Sequence, residues 1–292
     1  MLFVAVFTAA ADGQQTFRSG IDLTTFGVTV VDRKGNLVTD LRQDDFEVFE
    51  DGKLQSVRYF TVGDGDTAPP MRLGLMVDAS GSMQSDLKLA QSASIKFLNM
   101  LPQAEDITLV DFDTQVRITR YPQRDFPRLV ERIRGRKPDG MTALYDAVGT
   151  YLDGVDQENG RRILVMYTDG ADSRSVLNLT DTLTLLKASP VTVYAIGLVE
   201  NTGSSRQQLQ MTLMQMTEAT GGQAFFPAGM KEVEGAYDKV LAQIKGQYHL
   251  GYLSANGTTD GAWRKVEIKV KRPDTRVRSR KGYFSPYKPS QK

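Results

Sequence analysis

Between Met71 and Ile244, short unbroken apolar runs alternate with segments whose apolar residues recur at helical spacing, and this alternation constrains the fold most. Leu73 to Val77, Ile107 to Phe112, Arg162 to Tyr167 and Val191 to Ile196 read as buried strands, with Val116 to Ile118 as a short edge strand. Leu87, Ala90, Ser94, Phe97, Leu98 and Leu101 form a helical stripe that Pro102 stops. Phe126, Leu129, Val130 and Ile133 mark a short helix, and Leu144, Val148, Tyr151, Leu152 and Val155 a longer one. Further helices are expected over Leu177 to Lys187, Leu209 to Ala219 and Val233 to Ile244. Strands apolar on both sides need helices over both faces, which predicts an α/β domain with a doubly wound, Rossmann-like, mostly parallel sheet. Ligands of such sheets gather beyond the carboxyl ends of the strands.

The flanks have a different period. Phe26, Val28 and Val30 alternate with Gly27, Thr29 and Val31 before the turn Asp32 to Asn36. Phe46, Val48 and Phe49 lead into a turn at Glu50 to Lys53, where Asp51-Gly52 suits a hairpin. Tyr248, Leu250 and Tyr252 alternate, Asn256 to Gly261 turns, and Val266, Ile268 and Val270 alternate again. The economical arrangement is one β-sandwich built from both ends with the α/β domain inserted; two separate small β units are the other. The expected boundaries are 1–16 for a signal remnant, 17–68 and 248–287 for the β-rich flanks, 69–247 for the α/β domain, and 288–292 for a tail. The Gly-, Asp- and Pro-rich stretch Gly63 to Pro70 reads as a linker.

Lys and Arg number 36 against 35 acidic residues, so no general charge attracts nucleic acid or an anionic membrane. The most basic stretch, Lys265 to Lys281, alternates with apolar residues like the solvent side of strands. Without cysteine, disulfides, thiolate metal sites and cysteine nucleophiles are excluded. Met1 to Ala11 is apolar and ends in small residues, like the later regions of a secretory signal, but lacks a basic start. It is too short to span a bilayer. A start placed too late within a longer signal accounts for it, and so does an N-terminal strand. The first reading places the protein outside the cytoplasm, secreted, periplasmic or bound to the cell envelope.

Asp78-Ala79-Ser80-Gly81-Ser82 follows directly on the strand Leu73 to Val77, at a carboxyl end. Gly81 permits a tight turn, and Asp78, Ser80 and Ser82 can aim three oxygens at one point. Thr142 precedes the helix of Leu144 and Val148, and Asp169 ends the strand Arg162 to Tyr167. If the strands are neighbours, two carboxylates and three hydroxyls meet, a donor set suited to a hard divalent cation and not to zinc. The same residues taken singly would serve as a Ser-rich turn, a helix cap and an Asp-Gly turn; their shared edge of the sheet favours the cation.

On these motifs, Met71 to Ile244 resembles a von Willebrand factor type A domain, a relative of integrin I domains, over about three-fifths of the chain. The resemblance implies a metal-ion-dependent adhesion site at Asp78, Ser80, Ser82, Thr142 and Asp169. It implies Mg²⁺, with Mn²⁺ or Ca²⁺ as alternatives, and a partner protein that supplies an Asp or Glu carboxylate. Asp44 to Gly52 and Arg280 to Phe284 resemble the flanks of bacterial von Willebrand factor A-related proteins frequent in acidobacteria, mostly predicted to be exported.

The expected function is therefore metal-dependent protein binding, without catalysis and without nucleic acid. A structural cation and metal-assisted hydrolysis are the alternatives. Against hydrolysis, Asp78-Ala79-Ser80 lacks a second carboxylate, and the single histidine, His249, sits in a β-rich flank. Met83 and Met141 read equally as exposed contacts or as plugs beneath their loops. Tyr121 and Arg124 are candidates for the ligand face, Asp111 for a supporting hydrogen bond to the site, Asp113 for a turn, and Trp263 for packing at a sheet edge.

Overall fold

The computed structural model describes residues 23–63, 70–101, 104–154, 160–198, 206–228 and 230–287. The expected signal remnant, most of the linker and the tail lie outside them. The chain opens with β1 (Thr24–Asp32), β2 (Phe46–Glu50), β3 (Lys53–Gln55) and β4 (Val57–Val62). The central unit runs through β5 (Met71–Asp78), α1 (Leu87–Asn99), β6 (Ala104–Phe112), β7 (Val116–Pro122), α2 (Phe126–Gly135), α3 (Leu144–Asp153) and β8 (Arg161–Thr168). It continues with α4 (Leu179–Ala188), β9 (Thr192–Gly197), α5 (Arg206–Ala219), β10 (Gln223–Phe225) and α6 (Met230–Gly246). The chain then returns to strands with β11 (Tyr248–Tyr252), β12 (Trp263–Val270), β13 (Thr275–Arg278) and β14 (Gly282–Phe284).

The central sheet has the order β10-β9-β8-β5-β6-β7, parallel except for the edge strand β7. β5, β6, β8 and β9 are buried on both sides, as their continuous apolar runs require, while the edge strands β7 and β10 are partly exposed. Leu73, Leu75 and Val77 pack on one face with α1, α2 and α6, through residues such as Phe97, Leu129 and Val240. Met76, Leu164 and Met166 pack on the other face with α3, α4 and α5, through Val148, Leu186 and Met216. The chain leaves β5 toward β6 and β7, then returns to β8 on the other side. That reversal opens a crevice at the carboxyl ends of β5 and β8. The helix expected to be the longer one, α3, has the same 10 residues as α2; Val155, placed at its end, lies outside the described residues.

The flanks form two four-stranded sheets, β13-β1-β11-β4 and β14-β12-β2-β3, each mixing strands from both ends of the chain. Phe26, Val28, Tyr248 and Leu250 of the first sheet pack on Phe46, Val48, Val266 and Ile268 of the second. This is the single sandwich with the α/β unit inserted, and it excludes two separate β units. Asp51 and Gly52 have φ of 46° and 80°, the paired positive values of a tight hairpin between β2 and β3. Trp263 packs edge-on against Phe284, 5.0 Å between centroids, where β12 pairs β14.

The inserted unit is laced to the sandwich where the chain enters and leaves it. Gly63 N–H donates to Gln247 O at 2.8 Å, and Arg161 Nη1 donates to Gly63 O at 2.8 Å. His249 of β11 lies near this lacing, between Gly27 and Thr61 in register, on the face opposite the sandwich core. Burial, with the Arg161 charge adding to it, pushes its pKa down from 6.5 to about 3. The unfolded chain therefore takes up this proton first as pH falls, and the fold loses about 1.4 kcal/mol per pH unit below 6.5 from this group. Urea denaturation should show His249→Gln gaining about 2 kcal/mol relative to the parent protein between pH 7.5 and pH 5. A difference that does not change with pH would show that His249 is not held neutral.

Candidate functional site

The loop after β5 is fixed from three sides. Ala79 N–H donates to Phe112 O at 2.8 Å, Asp139 N–H to Ala79 O at 2.9 Å, and Gly81 N–H to Gly140 O at 3.0 Å. The last contact requires glycine at Gly140 and is tight at Gly81. A Cβ on Gly81 would lie 3.2 Å from Gly140 O, and one on Gly140, whose φ is 70°, would lie 2.3 Å from Thr114 Oγ1. Ser80 precedes a 3-10 turn, Gly81–Met83, without a side-chain capping bond, and Met83 is fully buried beneath it. Met83 is thus the plug and Met141, 55% exposed, is not.

Asp78 at the end of β5 is fully buried. One carboxylate oxygen accepts from Ser80 N at 2.9 Å and the other from Thr168 Oγ1 at 2.6 Å. Ser80 Oγ and Ser82 Oγ lie 3.0 Å apart, the former buried and the latter exposed. Thr142 is buried, with its backbone tied to the loop after β8: its N–H donates to Ser173 Oγ at 3.1 Å, and its carbonyl accepts from Ser173 N at 2.9 Å and Arg174 N at 3.0 Å. Asp169, also buried, accepts from Ala171 N at 2.9 Å. The loops bearing all five residues therefore meet at the crevice between β5 and β8.

Burial pushes the Asp78 carboxyl up to about 7, against the hydrogen bonds from Ser80 and Thr168, and the Asp169 charge raises it further. Among the described residues, no lysine or arginine pairs with either carboxylate. Nor do three His, Cys, Asp or Glu side chains gather anywhere among them to hold a metal. What the crevice presents is two buried acids and three hydroxyls, short of a positive charge. Hard divalent cations accept such an oxygen set.

Several neighbours are not apparent from the motifs. Thr168 couples the two strand ends, donating to Asp78 and accepting from Gly170 N at 3.0 Å; its place beside Asp169 was the available signal. Asp146, in the first turn of α3, accepts from Val176 N and Leu177 N, while Ser175 Oγ donates to Asp172 at 2.6 Å. These bonds fix the rim, on which Val176 is 92% exposed.

Two expectations change and a third holds. Asp111 does not support the crevice by a direct hydrogen bond; it pairs with Arg132 at 3.0 Å, Arg136 at 2.9 Å and Arg117 at 3.6 Å. Tyr121 and Arg124 lie at the opposite end of the sheet, because β7 runs antiparallel and sets Tyr121 beside Ile107 near the start of β6. Asp113 does make the expected turn, accepting from Gln115 N at 2.8 Å, and it also pairs with Arg117 and Arg136. Burial would raise its pKa, but the Gln115 N–H and the two arginines bring it below the usual range.

Residues 73–171 match the profile of the von Willebrand factor type A domain. The matched stretch lies within the α/β unit, from β5 to the loop after β8. No curated protein matches the sequence. Among solved structures, the pilus adhesin SpaC from Lactobacillus rhamnosus GG in its open conformation is similar at 9% identity and a TM-score of 0.53, over 83% of this chain and 48% of the adhesin. The chain thus spans about half of that protein, and the likeness is one of fold. An aerotolerance-related membrane protein from Bacteroides fragilis shares 14% identity at a TM-score of 0.49, over 59% of this chain and 99% of the other. The PilB minor pilin from Streptococcus sanguinis shares 13% identity at 0.49, over 63% of each chain. No helix among the described residues is long and apolar enough to cross a membrane.

Proposed function

We propose that this type A domain is an exported protein-binding module that works through a divalent cation. Asp78, Ser80, Ser82, Thr142 and Asp169 would hold Mg²⁺, or alternatively Mn²⁺ or Ca²⁺, and the ion would supply a Lewis-acidic position for an Asp or Glu carboxylate of the partner. The observation that carries this reading is the pair of buried carboxylates without a basic partner among the described residues, set at the crevice of a doubly wound sheet. Thr142 and Asp169 bring the charge and hydroxyl count that the first loop lacks alone. Exposed Met141 and Val176 flank the crevice and give an incoming protein surface apolar area to cover.

A purely structural cation is the weaker reading, because direct hydrogen bonds from Gly81, Asp139 and Thr142 already join the three loops. We read the module as non-catalytic, since the sequence's one histidine lies in the sandwich, near the lacing at the opposite end of the sheet. The test is capture from a cell-envelope extract with Mg²⁺, with EDTA, and with Asp78→Ala. One partner retained in Mg²⁺ and lost in the other two conditions is expected. The same partner recovered in all three would rule out metal-bridged recognition.

A further inference from the structure

Away from that crevice, a cavity of about 440 Å³ opens between the α/β unit and the sandwich. One wall is the last turn of α5 and the start of β10, with Glu218 and Gln223; the other is β13 and the residues after it, with Arg276, Arg278 and Lys281. Arg276 and Arg278 stand two residues apart on β13, opposite Val31 and Thr29 of β1, and so share one face. Sites between two packed units are common places for small ligands.

The charges in this cavity do not balance. Three cations face one carboxylate, and no ion pair forms at Arg276, Arg278 or Lys281 among the described residues. Arg278 is partly buried; Nη1 donates to Gln223 Oε1, an oxygen already accepting from Gln243 Nε2 at 2.7 Å. Its Nε is buried without a hydrogen-bond partner. The carbonyls at the end of α5 offer no relief, since Thr217 O accepts from Thr220 and Gly222 N–H, and Glu218 O accepts from Gly221 N–H. Burial lowers the Arg278 pKa, and the neighbouring Arg276 charge lowers it further. A guanidinium in such surroundings pairs best with a planar or tetrahedral oxyanion that takes two of its N–H groups at once.

We propose that this cavity binds a small polyanion, with a phosphate or paired carboxylates set between Arg276 and Arg278. Lys281 would add long-range attraction, and Glu218 would repel an anion and so offset part of it. The ligand would thereby bridge the two units. The site stands apart from the carboxylate crevice and does not depend on a metal there.

The experiment is titration calorimetry at low ionic strength on protein stripped of metal and then dialysed free of chelator, so that neither a metal-held anion nor a competing polycarboxylate contributes. Inorganic phosphate, pyrophosphate and succinate serve as separate probes, which distinguishes phosphate from dicarboxylate recognition. At least one probe should bind saturably with one site per chain. Arg276→Gln and Arg278→Gln should each weaken it tenfold or more, with circular dichroism confirming the fold. Arg276 is exposed, so its variant decides the matter should Arg278→Gln fail to fold. Absence of saturable binding for all three probes, or unchanged affinity in Arg276→Gln, would overturn the proposal.

Discussion

Without metal at pH 8, Asp78→Asn should be more stable than the parent protein by about 2–3 kcal/mol, yet bind divalent ions at least about 100-fold more weakly. The Asp78 carboxyl titrates at about 7 in the fold against 3.8 in the open chain. The folded state therefore holds this proton more tightly. The stability that the proton contributes is complete below pH 3.8 and is lost as pH rises toward 7, a span that costs about 4 kcal/mol. The amide removes that cost, less about 1 kcal/mol for hydrogen bonds from Ser80 and Thr168 that it accepts less well. Urea denaturation in EDTA at pH 5 and pH 8, repeated in Mg²⁺, gives the comparison. The variant should gain on the parent from pH 5 to pH 8 in EDTA, and Mg²⁺ should stabilise only the parent. A variant that is the less stable protein in EDTA at pH 8 would mean that the buried carboxylate is not under strain.

The second large effect is expected at Asp111, which touches none of the five crevice residues in the hydrogen-bond network. Asp111→Ala should lower stability by about 1–3 kcal/mol, because Arg132 loses the buried carboxylate that it shares with Arg136, while Arg136 keeps Asp113. Arg132 is half exposed, which holds the loss toward the lower figure. Arg136 leads directly into the segment 137–143, whose Gly140 and Thr142 close the crevice, and its carbonyl accepts from Gln91 Nε2 at 2.9 Å. Loosening it should also weaken divalent-ion binding. Thermal unfolding and metal titration of Asp111→Ala and of Arg132→Gln test the chain of effects. A full loss of stability with unchanged metal affinity would confine Asp111 to packing.

Much of this architecture is written in the periodicity of the chain. The apolar runs of β5, β6, β8 and β9 have no polar side to expose, so the doubly wound sheet follows from them and locates its own crevice. The meeting of the loops that bear Asp78, Ser80, Ser82, Thr142 and Asp169 was also legible, since each loop follows a strand or leads into a helix on one edge of the sheet. What was not legible depends on direction and partnership. Tyr121 was misplaced because a short edge strand gives no sign of running antiparallel. Asp111 was misread because its arginines lie 6 to 25 residues further along, on β7, α2 and the following loop, and spacing alone does not reveal an ion pair. Arg276 and Arg278 looked like solvent-side strand positions, and only the packing of α5 and β10 against that face makes a cavity of it.

The sandwich has a further consequence in the order of synthesis. β1 and β4 pair with strands that follow the inserted unit, and Leu41 takes a hydrogen bond partner, Tyr248, 207 residues away. As the chain emerges, the first strands carry open edges until the whole α/β unit has been made. The lacing of Gly63 to Gln247 brings the two crossing points together once that unit has folded, and so delivers β11 beside its waiting partners. The inserted domain thus acts as the loop closure for the sandwich, and damage to its core would be felt first as sandwich strands left unpaired and prone to aggregate.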